Sequence, residues 1–411
     1  MKIEREVFWE NMDMVNRIGQ QDDGGITRLA LSDEDMKARD FIKEKCKGLG
    51  LKVWEDGVGN IRARKEGRDP TLPALLVGSH LDTVPHGGKY DGTLGVIAAI
   101  ETVRMIGEKQ INHRHPIEII VFSTEESSRF NISTVGSKAI TGKLAISMLK
   151  NYTDKNNISL YDALIDRGYM PETIQESLVR PENTKAFVEL HIEQGPILER
   201  EQIQIGIVEA IAAPMRLHIH LAGEEAHSGS CPMSMRKDAL TAAAEIILEI
   251  EKVGRDESKY QTVTTTGNCE VFPGAMNVVP GQVNLFVDVR GIHIESVLRT
   301  LNTVIAKTSE ICNKRKVNHQ LKVLSQERPV MLDQKMMDVV KEKCKKLGLA
   351  FKQMSSGAGH DTMNMAKVVP SSLIFIPCKK GISHNKNEDV KVSDIENGIK
   401  ILFETVLELA K

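Results

Sequence analysis

Residues 76–101 read LVGSHLDTVPHGGKYDGTLGVIAAIE, and the interpretation of the whole chain starts from this stretch. The short apolar run at 74–77 predicts a buried strand. This strand ends by presenting His80 and Asp82. Because open α/β sheets bind ligands at the carboxyl ends of their strands, we expect both side chains to lie at a functional edge.

Asp91 follows in a glycine-bearing loop, and the apolar, Ala-rich segment 92–100 predicts a buried helix packed on the sheet. Imidazole and carboxylate side chains are ligands that Zn, Mn, Co and Ni accept. A second carboxylate beside a ligand histidine can orient its neighbours. Taken alone, His80-x-Asp82 near glycine fits a polar surface loop equally well, so the rest of the chain must decide.

Length and composition limit the alternatives. A chain of 411 residues predicts two domains, and 41% apolar with 27% charged residues is typical of a soluble globular protein. The net charge of −2 gives no reason to expect a nucleic-acid or membrane partner, so a small molecule is favoured. Six scattered cysteines, without a C-x-x-C pair, predict reduced thiols and a cytoplasmic protein. No segment resembles a signal peptide or a membrane span.

Further strand ends carry residues of the same chemical types. The apolar run 117–123 predicts a central parallel strand that is followed by Glu125 and Glu126. A strand at 185–190 leads into His191. Adjacent glutamates usually form a solvated loop, but here they follow a buried strand at the sheet edge predicted for His80, which favours a functional role.

The order of elements predicts a catalytic domain, 1–210 and 329–411, interrupted by a small domain at 211–328. The inserted segment has the order β-α-β-β-α-β. Residues 1–50 are predicted to be helical in two stretches, the second beginning at Ser32. A closing helix at 393–409 is expected to begin with a capping box formed by Ser393 and Glu396.

Several motifs, in order along nearly the whole chain, resemble the M20-type amidase family in its hydantoinase/carbamoylase branch. This branch contains N-carbamoyl-L-amino acid hydrolases, β-ureidopropionases and allantoate amidohydrolases. The motifs are GSHLDTVPHGGKYDG, STEESSRF, ELHIEQGPILE, AHSGSCPMSMRKDAL, PGAMNVVPGQV, SSGAGHDTMNMA and GISHNKNED. The resemblance implies an α/β fold with a mixed, largely parallel, zinc-peptidase-like sheet flanked by helices. It also implies an inserted ferredoxin-like α+β lid and dimerisation domain.

The resemblance implies two divalent metal ions, Zn, Mn, Co or Ni, with Asp91 as the shared ligand. His80 and His191 complete one site, and Glu126 and His384 complete the other. A water or hydroxide would lie between the ions. Asp82 would orient the site, and Glu125 would be the general base that activates this water and later protonates the leaving nitrogen.

Substrate recognition is implied for both domains, with a homodimer through the lid domain. On the catalytic domain, the side chain of Gln194 and the loop with Gly359 and His360 would meet the ureido group. The lid domain would supply Arg216, His227, Asn277 and Arg290. Of these, Arg290 suits a substrate carboxylate, and His227 suits negative charge on the carbonyl oxygen. Taken singly, Arg290 fits a surface ion pair and His227 a loop hydrogen bond.

The leading hypothesis is a metal-dependent hydrolase of a linear C–N amide bond in an N-carbamoyl-L-amino acid, releasing ammonia, carbon dioxide and the free amino acid. The nearest alternative is an allantoate amidohydrolase that yields ureidoglycine, ammonia and carbon dioxide. An aminopeptidase fits less well, because His191 stands where such peptidases commonly use a carboxylate. A non-catalytic binding protein on the same fold is the alternative of another class.

Overall fold

The computed structural model describes residues 5–411. Residues 1–4, which belong to the range predicted to be helical and to the predicted catalytic domain, lie outside the described residues. Within the described part, the helices are α1 (Arg5–Arg17), α2 (Asp33–Gly48), α3 (Thr93–Glu108), α4 (Val135–Ile140), α5 (Leu160–Asp166), α6 (Ile197–Glu201), α7 (Ala239–Glu257), α8 (Ile294–Arg315), α9 (Gln334–Leu347), α10 (Thr362–Met365) and α11 (Val392–Leu409).

The strands alternate with these helices along most of the chain. They are β1 (Lys52–Glu55), β2 (Ile61–Lys65), β3 (Ala74–His80), β4 (Ile117–Phe122), β5 (Thr184–Ile192), β6 (Ile205–Ile211), β7 (Ala213–Ala222), β8 (Ala226–His227), β9 (Val263–Phe272), β10 (Val278–Val279), β11 (Gln282–Gly291), β12 (Asn318–Gln326), β13 (Val330–Met331), β14 (Phe351–Ser356) and β15 (Ser371–Ile376).

The chain divides into two compact units. One contains the residues up to Glu209, then Leu332–Ser356 and His360–Lys411. The second contains Ala210–Met331 together with Gly357–Gly359. The short glycine loop therefore clusters with the second unit, although it lies in the residue range predicted for the catalytic domain.

The larger sheet has the strand order β1-β2-β4-β3-β5-β15-β6-β13, and β14 also pairs with β6. Its four central strands, β4, β3, β5 and β15, are parallel, whereas β2 and β6 pair with them in the antiparallel direction. The predicted mixed sheet is confirmed, and its parallel part is these four central strands. Because parallel strands end at the same edge, the carboxyl ends of all four face one side.

Hydrophobic cores cover both faces of this sheet, because successive side chains of a strand point to opposite faces. In β3, Leu75 and Val77 join the core that includes α1, α3, α9 and α11. The intervening Leu76 joins the other core, which includes residues of α4 and α5. Strands buried on both faces read as continuous apolar runs, which explains the composition of 74–77 and 117–123.

The second unit has an antiparallel sheet with the order β12-β7-β11-β9. Its chain order β7-α7-β9-β11-α8-β12 matches the predicted β-α-β-β-α-β pattern. One face of the sheet packs on α7 and α8 through apolar residues such as Leu217, Ile219 and Leu285. The alternate residues of β7 and β11 lie on the opposite face, and several of them are polar.

Two local predictions have different outcomes. Ser32 is the N-cap of α2, and its side chain accepts a hydrogen bond from the backbone of Asp35, as predicted. The capping box at Ser393 is wrong. The last helix begins at Val392 with Lys391 as its N-cap, and no side chain caps its first turn. Ser393 therefore lies one residue inside the helix, where its hydroxyl group does not occupy the N-cap position.

Across the described residues, no helix has both the length and the apolar character required to cross a bilayer.

Candidate active site

The carboxyl edge of the larger sheet gathers the predicted metal ligands. They are His80 at the end of β3, Asp91 before α3, Glu126 after β4, His191 in β5 and His384 after β15. The ligand atoms of His80, Asp91 and His191 all lie within 4.8 Å of one another. The same limit holds for Asp91, Glu126 and His384. The fold thus brings together residues that are far apart in the sequence.

Asp91 lies between these two groups and divides its carboxylate oxygens between them. Its Oδ1 lies 3.2 Å from His191 Nε2 and 3.5 Å from His80 Nε2. Its Oδ2 lies 3.3 Å from His384 Nε2. Burial favours a higher pKa for Asp91, but hydrogen bonds with His191, His384 and His80 outweigh burial and hold the pKa well below its usual value. The carboxylate is therefore ionised and faces histidines on both sides.

Two of these imidazoles are oriented by a backbone carbonyl oxygen that lies against Nδ1. His80 Nδ1 lies 3.0 Å from the Asp82 carbonyl oxygen, and His191 Nδ1 lies 2.9 Å from the Ile192 carbonyl oxygen. A carbonyl oxygen only accepts, so in both rings Nδ1 must donate. Nε2 is then the nitrogen of each ring that faces Asp91, and that of His191 also accepts the Gly92 N–H at 3.2 Å. Backbone hydrogen bonds through Nδ1 are typical of metal-ligand histidines.

The Glu125–Glu126 loop is fixed by Asp82. The backbone N–H of Glu125 donates to Asp82 Oδ1 at 3.1 Å, and that of Glu126 donates to Oδ2 at 2.9 Å. Thr124, just before the pair, adopts a φ of +54°, which is uncommon for a residue with a branched side chain. The loop is not helical, so its two glutamate side chains can take different directions.

The two glutamates of this loop have different surroundings. Glu126 Oε1 lies 3.2 Å from His384 Nε2, in the group that shares Asp91. Glu125 belongs to neither of the two Asp91 groups, and its Oε2 lies 3.9 Å from His80 Nε2. Burial raises the pKa of Glu125 well above its usual value, and the neighbouring Glu126 raises it further. Glu125 therefore holds a proton more readily than an exposed glutamate does, as proton transfer by a general base requires.

The donor set fits divalent cations. Imidazole nitrogens and carboxylate oxygens are the ligands that Zn, Mn, Co and Ni share. Asp82, Asp91 and Glu125 are buried in the same region, and buried carboxylates require compensating positive charge. Hydrogen bonds with Asp91 and Glu126 raise the pKa of His384 to about 11, which shows how strongly this side of the site favours a cation.

Glu388 and Ser383 also hold Asp91, although the sequence suggested no role for them. Glu388 Oε1 accepts the backbone N–H groups of Tyr90 at 2.7 Å and Asp91 at 3.1 Å. Ser383 Oγ lies 2.8 Å from Asp91 Oδ2 and 2.9 Å from Glu388 Oε2. Both residues lie in the GISHNKNED motif, on either side of His384. Their place in this motif is the sequence feature that could have indicated a role for them.

Gln194 lies directly against Asp91. Its Nε2 donates to Asp91 Oδ2 at 2.7 Å, and its backbone adopts a φ of +55°. Gln194 Oε1 is buried and has no hydrogen-bond partner among the described residues. The amide therefore keeps a buried acceptor close to the candidate ligands.

His360 is buried behind His191. The ring centroids of the two histidines are 4.6 Å apart in an edge-to-face arrangement, and His360 Nε2 lies 3.1 Å from Ser356 Oγ. Burial lowers the pKa of His360 well below its usual value, so the ring is neutral. The ligand atoms of Glu189, His191 and His360 also lie within 4.8 Å of one another. The structure thus shows His360 supporting a candidate ligand.

The predicted substrate residues of the second unit form two pairs. In one pair, β8 and β10 place His227 opposite Val278, directly after Asn277. In the other, Arg216 and Arg290 both bind Asp288, through Nε atoms that lie 3.2 Å and 2.7 Å from its carboxylate. Each pair brings together residues that are separated in sequence.

The Arg290 guanidinium has a further contact in its unit. Its Nη1 donates to the carbonyl oxygen of Gly357 at 3.0 Å. This glycine belongs to the same short loop as Gly359. Arg290 also forms an ion pair with Asp288. A surface ion pair is the alternative role that the sequence allowed for Arg290 taken singly.

Comparison with known proteins identifies the family. Residues 76–408 match the model described as peptidase family M20/M25/M40. The chain belongs to this family. Membership in the M20/M25/M40 family and the clustered donors together support dependence on a divalent metal ion.

Relatives cover nearly the whole chain. An N-carbamoyl-L-amino-acid amidohydrolase from Pseudomonas sp. strain NS671 is 37% identical over 99% of this chain and 98% of its own length. A ureidoglycolate hydrolase from Oryza sativa subsp. japonica is 39% identical over 92% of this chain and 79% of its own length. A solved amidase of the hydantoinase/carbamoylase family from Burkholderia multivorans is similar with a TM-score of 0.92 and 32% identity, covering 100% of this chain and 98% of its own. These similarities confirm the predicted family resemblance and fold class of this M20/M25/M40 member.

Proposed function

We propose that the protein is a metal-dependent hydrolase that cleaves the linear C–N amide bond of an N-carbamoyl-L-amino acid, releasing ammonia, carbon dioxide and the free amino acid. The observation that carries the proposal is the position of Asp91, whose two oxygens face different histidines. The N-carbamoyl-L-amino-acid amidohydrolase relative, similar over almost its full length, supports the choice of substrate class.

Two divalent cations, Zn, Mn, Co or Ni, would be held by residues already placed at the sheet edge. His80, Asp91 and His191 would hold one, and the second would use the group Asp91, Glu126 and His384. When bound, such cations polarise the scissile carbonyl group and lower the pKa of water towards neutrality. In both His80 and His191, Nδ1 is bonded to a backbone carbonyl oxygen and Nε2 is turned towards Asp91, an orientation that supports this assignment.

Glu125 would be the general base. It accepts a proton from the attacking water, whose oxygen bonds to the ureido carbonyl carbon. It then delivers that proton to the nitrogen that leaves as the C–N bond breaks. Burial raises the pKa of Glu125 well above its usual value, which makes the carboxylate a stronger base towards the attacking water. Asp82 would keep this loop in place through its two backbone hydrogen bonds.

Substrate contacts would come from both units. The buried Gln194 Oε1 would accept an N–H group of the ureido moiety, since it has no partner among the described residues. The Gly359 and His360 segment would border the same group. On the second unit, Arg290 would bind the substrate carboxylate, and His227 would stabilise negative charge on the carbonyl oxygen. Arg216 and Asn277, the neighbours of these two residues, would complete the contacts.

We also propose a homodimer through the second unit in the cytoplasm. Three large apolar side chains of this unit are strongly exposed: Met233, Met235 and Met276. Exposed apolar patches commonly mark protein–protein interfaces. These methionines lie on the loops next to His227 and Asn277 in the sequence, so a second copy of the chain would cover them and contact these loops. Sedimentation of Met233→Glu and Met276→Glu should show a monomer, and a dimer that persists in both would contradict this interface.

The test is ammonia release by wild type and two adjacent glutamate variants. Glu125→Gln should lower kcat by about 10²- to 10⁴-fold, the usual contribution of a general base, while its metal content stays unchanged. Glu126→Gln should instead lose bound metal, because it removes a proposed ligand. Unchanged turnover in Glu125→Gln would refute the assigned base.

A panel of substrates distinguishes the alternatives. The panel comprises several N-carbamoyl-L-amino acids, β-ureidopropionate, allantoate and ureidoglycolate, each tested with metal-stripped enzyme that has been reloaded with Zn, Mn, Co or Ni. The allantoate alternative predicts a preference for allantoate, and the ureidoglycolate hydrolase relative makes that compound a necessary competitor. If no compound releases ammonia with any ion, the assignment of a ureido substrate is wrong.

A further inference from the structure

The segment between α1 and α2 contains a buried arginine that the proposed chemistry does not use. Arg28 is 0% exposed, and it is among the largest fully buried side chains of the described residues. A buried guanidinium is costly unless its N–H groups are bonded and its charge is compensated. Its contacts therefore show what this arginine supports.

The guanidinium of Arg28 connects two loops of the candidate metal site. Nε donates to the carbonyl oxygen of Leu81 at 2.7 Å, and Leu81 stands between His80 and Asp82. Nη2 donates to Thr93 Oγ1 at 2.9 Å, and Thr93 begins α3 two residues after Asp91. One planar group thus holds both chain segments that carry the first proposed ligands.

The remaining bonds attach this group to the N-terminal helix. Nη1 donates to the carbonyl oxygens of Val15 and Ile18, each at 3.0 Å, at the end of α1. The last carbonyl groups of a helix need such donors. Arg28 thus links the end of α1 to the His80–Asp82 loop and to the start of α3.

The backbone of Arg28 holds the same loop. Its N–H donates to Thr83 Oγ1 at 2.9 Å, and its carbonyl oxygen accepts the Thr83 N–H at 2.9 Å. The residues Leu81 and Thr83, on either side of Asp82, are therefore both bonded to Arg28.

The charge of the guanidinium is retained. Burial lowers the pKa of Arg28 to about 10, while the carboxylates of Asp35 and Asp82 act in the opposite direction. The group is therefore protonated at neutral pH. A lysine ammonium has the same charge, but it lacks the planar fork that reaches acceptors on three different chain segments.

We propose that Arg28 is a positioning residue, which holds the His80–Asp82 loop and the start of α3 in the arrangement that binds the cations. This inference rests on the proposed metal site, and it adds a residue that touches neither cation nor substrate. Residues that orient metal ligands typically change metal affinity by about 10- to 100-fold when they are replaced.

The experiment is a titration of metal-stripped protein with Mn²⁺, in which free Mn²⁺ is measured by electron paramagnetic resonance. Arg28→Lys should weaken the tighter Mn²⁺ binding by about tenfold or more. Arg39→Lys is the matched control. Arg39 is 1% exposed and bonds Glu55 and the Gly59 carbonyl group, at the β1–β2 hairpin. It should lower the thermal midpoint of the stripped protein without changing Mn²⁺ affinity.

A second pair of variants covers the case in which Arg28→Lys does not fold. Thr93→Val removes the hydroxyl acceptor of Nη2 at nearly constant volume and should weaken Mn²⁺ binding, whereas Thr93→Ser should bind like wild type. Wild-type affinity in folded Arg28→Lys or in Thr93→Val would overturn the proposal, and so would an equal loss in Arg39→Lys. Wild-type ammonia release tests the proposed function separately, because the Mn²⁺ ratios do not depend on substrate.

Discussion

Replacing Asp82 with asparagine changes one atom of the group that holds the catalytic loop. In the native side chain, each carboxylate oxygen accepts one backbone N–H, from Glu125 at 3.1 Å and from Glu126 at 2.9 Å. Asparagine keeps one oxygen and turns an NH₂ group towards the other N–H. One buried donor then loses its acceptor, in a loop that already contains a strained Thr124.

The magnitude follows from this lost hydrogen bond. A hydrogen bond to a charged group contributes about 1.5–3 kcal/mol, and an unsatisfied buried donor costs about 1–3 kcal/mol. Both values describe the loss of the same hydrogen bond and are not added, so the net loss is about 2–3 kcal/mol. If the loop must be ordered for catalysis, Asp82→Asn lowers kcat by about 30- to 150-fold, at 1.36 kcal/mol per tenfold.

The assay is ammonia release at saturating Mn²⁺ and pH 8. Burial raises the pKa of Asp82 to about 7, so wild type is mostly ionised under these conditions. Asp333→Asn is the control, because Asp333 also accepts a backbone N–H, from Met336 at 2.9 Å at the start of α9. It should lose some stability and keep its activity. An Asp82→Asn enzyme that works at nearly the wild-type rate would show that the loop does not depend on this carboxylate.

Three further predictions concern the support of Asp91 and the protonation of the site. Glu388→Gln should bind metal almost normally, because its amide oxygen still accepts the backbone N–H groups of Tyr90 and Asp91. Glu388→Ala leaves both donors unsatisfied, at about 1–3 kcal/mol each, and should lose tenfold or more in Mn²⁺ affinity. Equal losses in the two variants would refute this reasoning. Gly92→Ala should abolish tight binding, since an added Cβ would occupy the position of the His80 ring at a residue with φ +64°, and retained binding by equilibrium dialysis would contradict that clash. The third prediction is that Mn²⁺ binding releases protons. The pKa of His384 is raised to about 11, so the metal displaces a proton at pH 7–8, and affinity should fall by about tenfold per pH unit for each proton displaced as the pH is lowered. Calorimetry in buffers of different ionisation enthalpy measures this release, and binding heats that do not depend on the buffer would count against it.

The sequence predicted the parts of the fold that depend on periodicity and strand ends. Runs such as 74–77 and 117–123 are apolar at every position because both faces of the sheet are covered, so their strands could be recognised without a structure. The residues after these strands, His80 and Glu126, could then be expected at one edge.

Contacts between distant residues could not be predicted in the same way. Glu388 supports the backbone of Asp91 from nearly 300 positions away, and neither residue type nor spacing indicates such a hydrogen bond. Arg28 is a similar case, because an isolated arginine in a polar loop usually lies at the surface. The capping-box prediction at Ser393 failed for a local reason. The N-cap of the last helix lies two residues earlier than predicted, so Ser393 does not occupy it.

The division of Asp91 between two groups is the central claim, and diffraction from a Mn²⁺-loaded crystal tests it most directly. Anomalous difference maps should show two peaks on opposite sides of the Asp91 carboxylate. One peak should lie against His80 and His191, and the other against Glu126 and His384. Peaks remote from Asp91, or a single ion bound without it, would contradict the account.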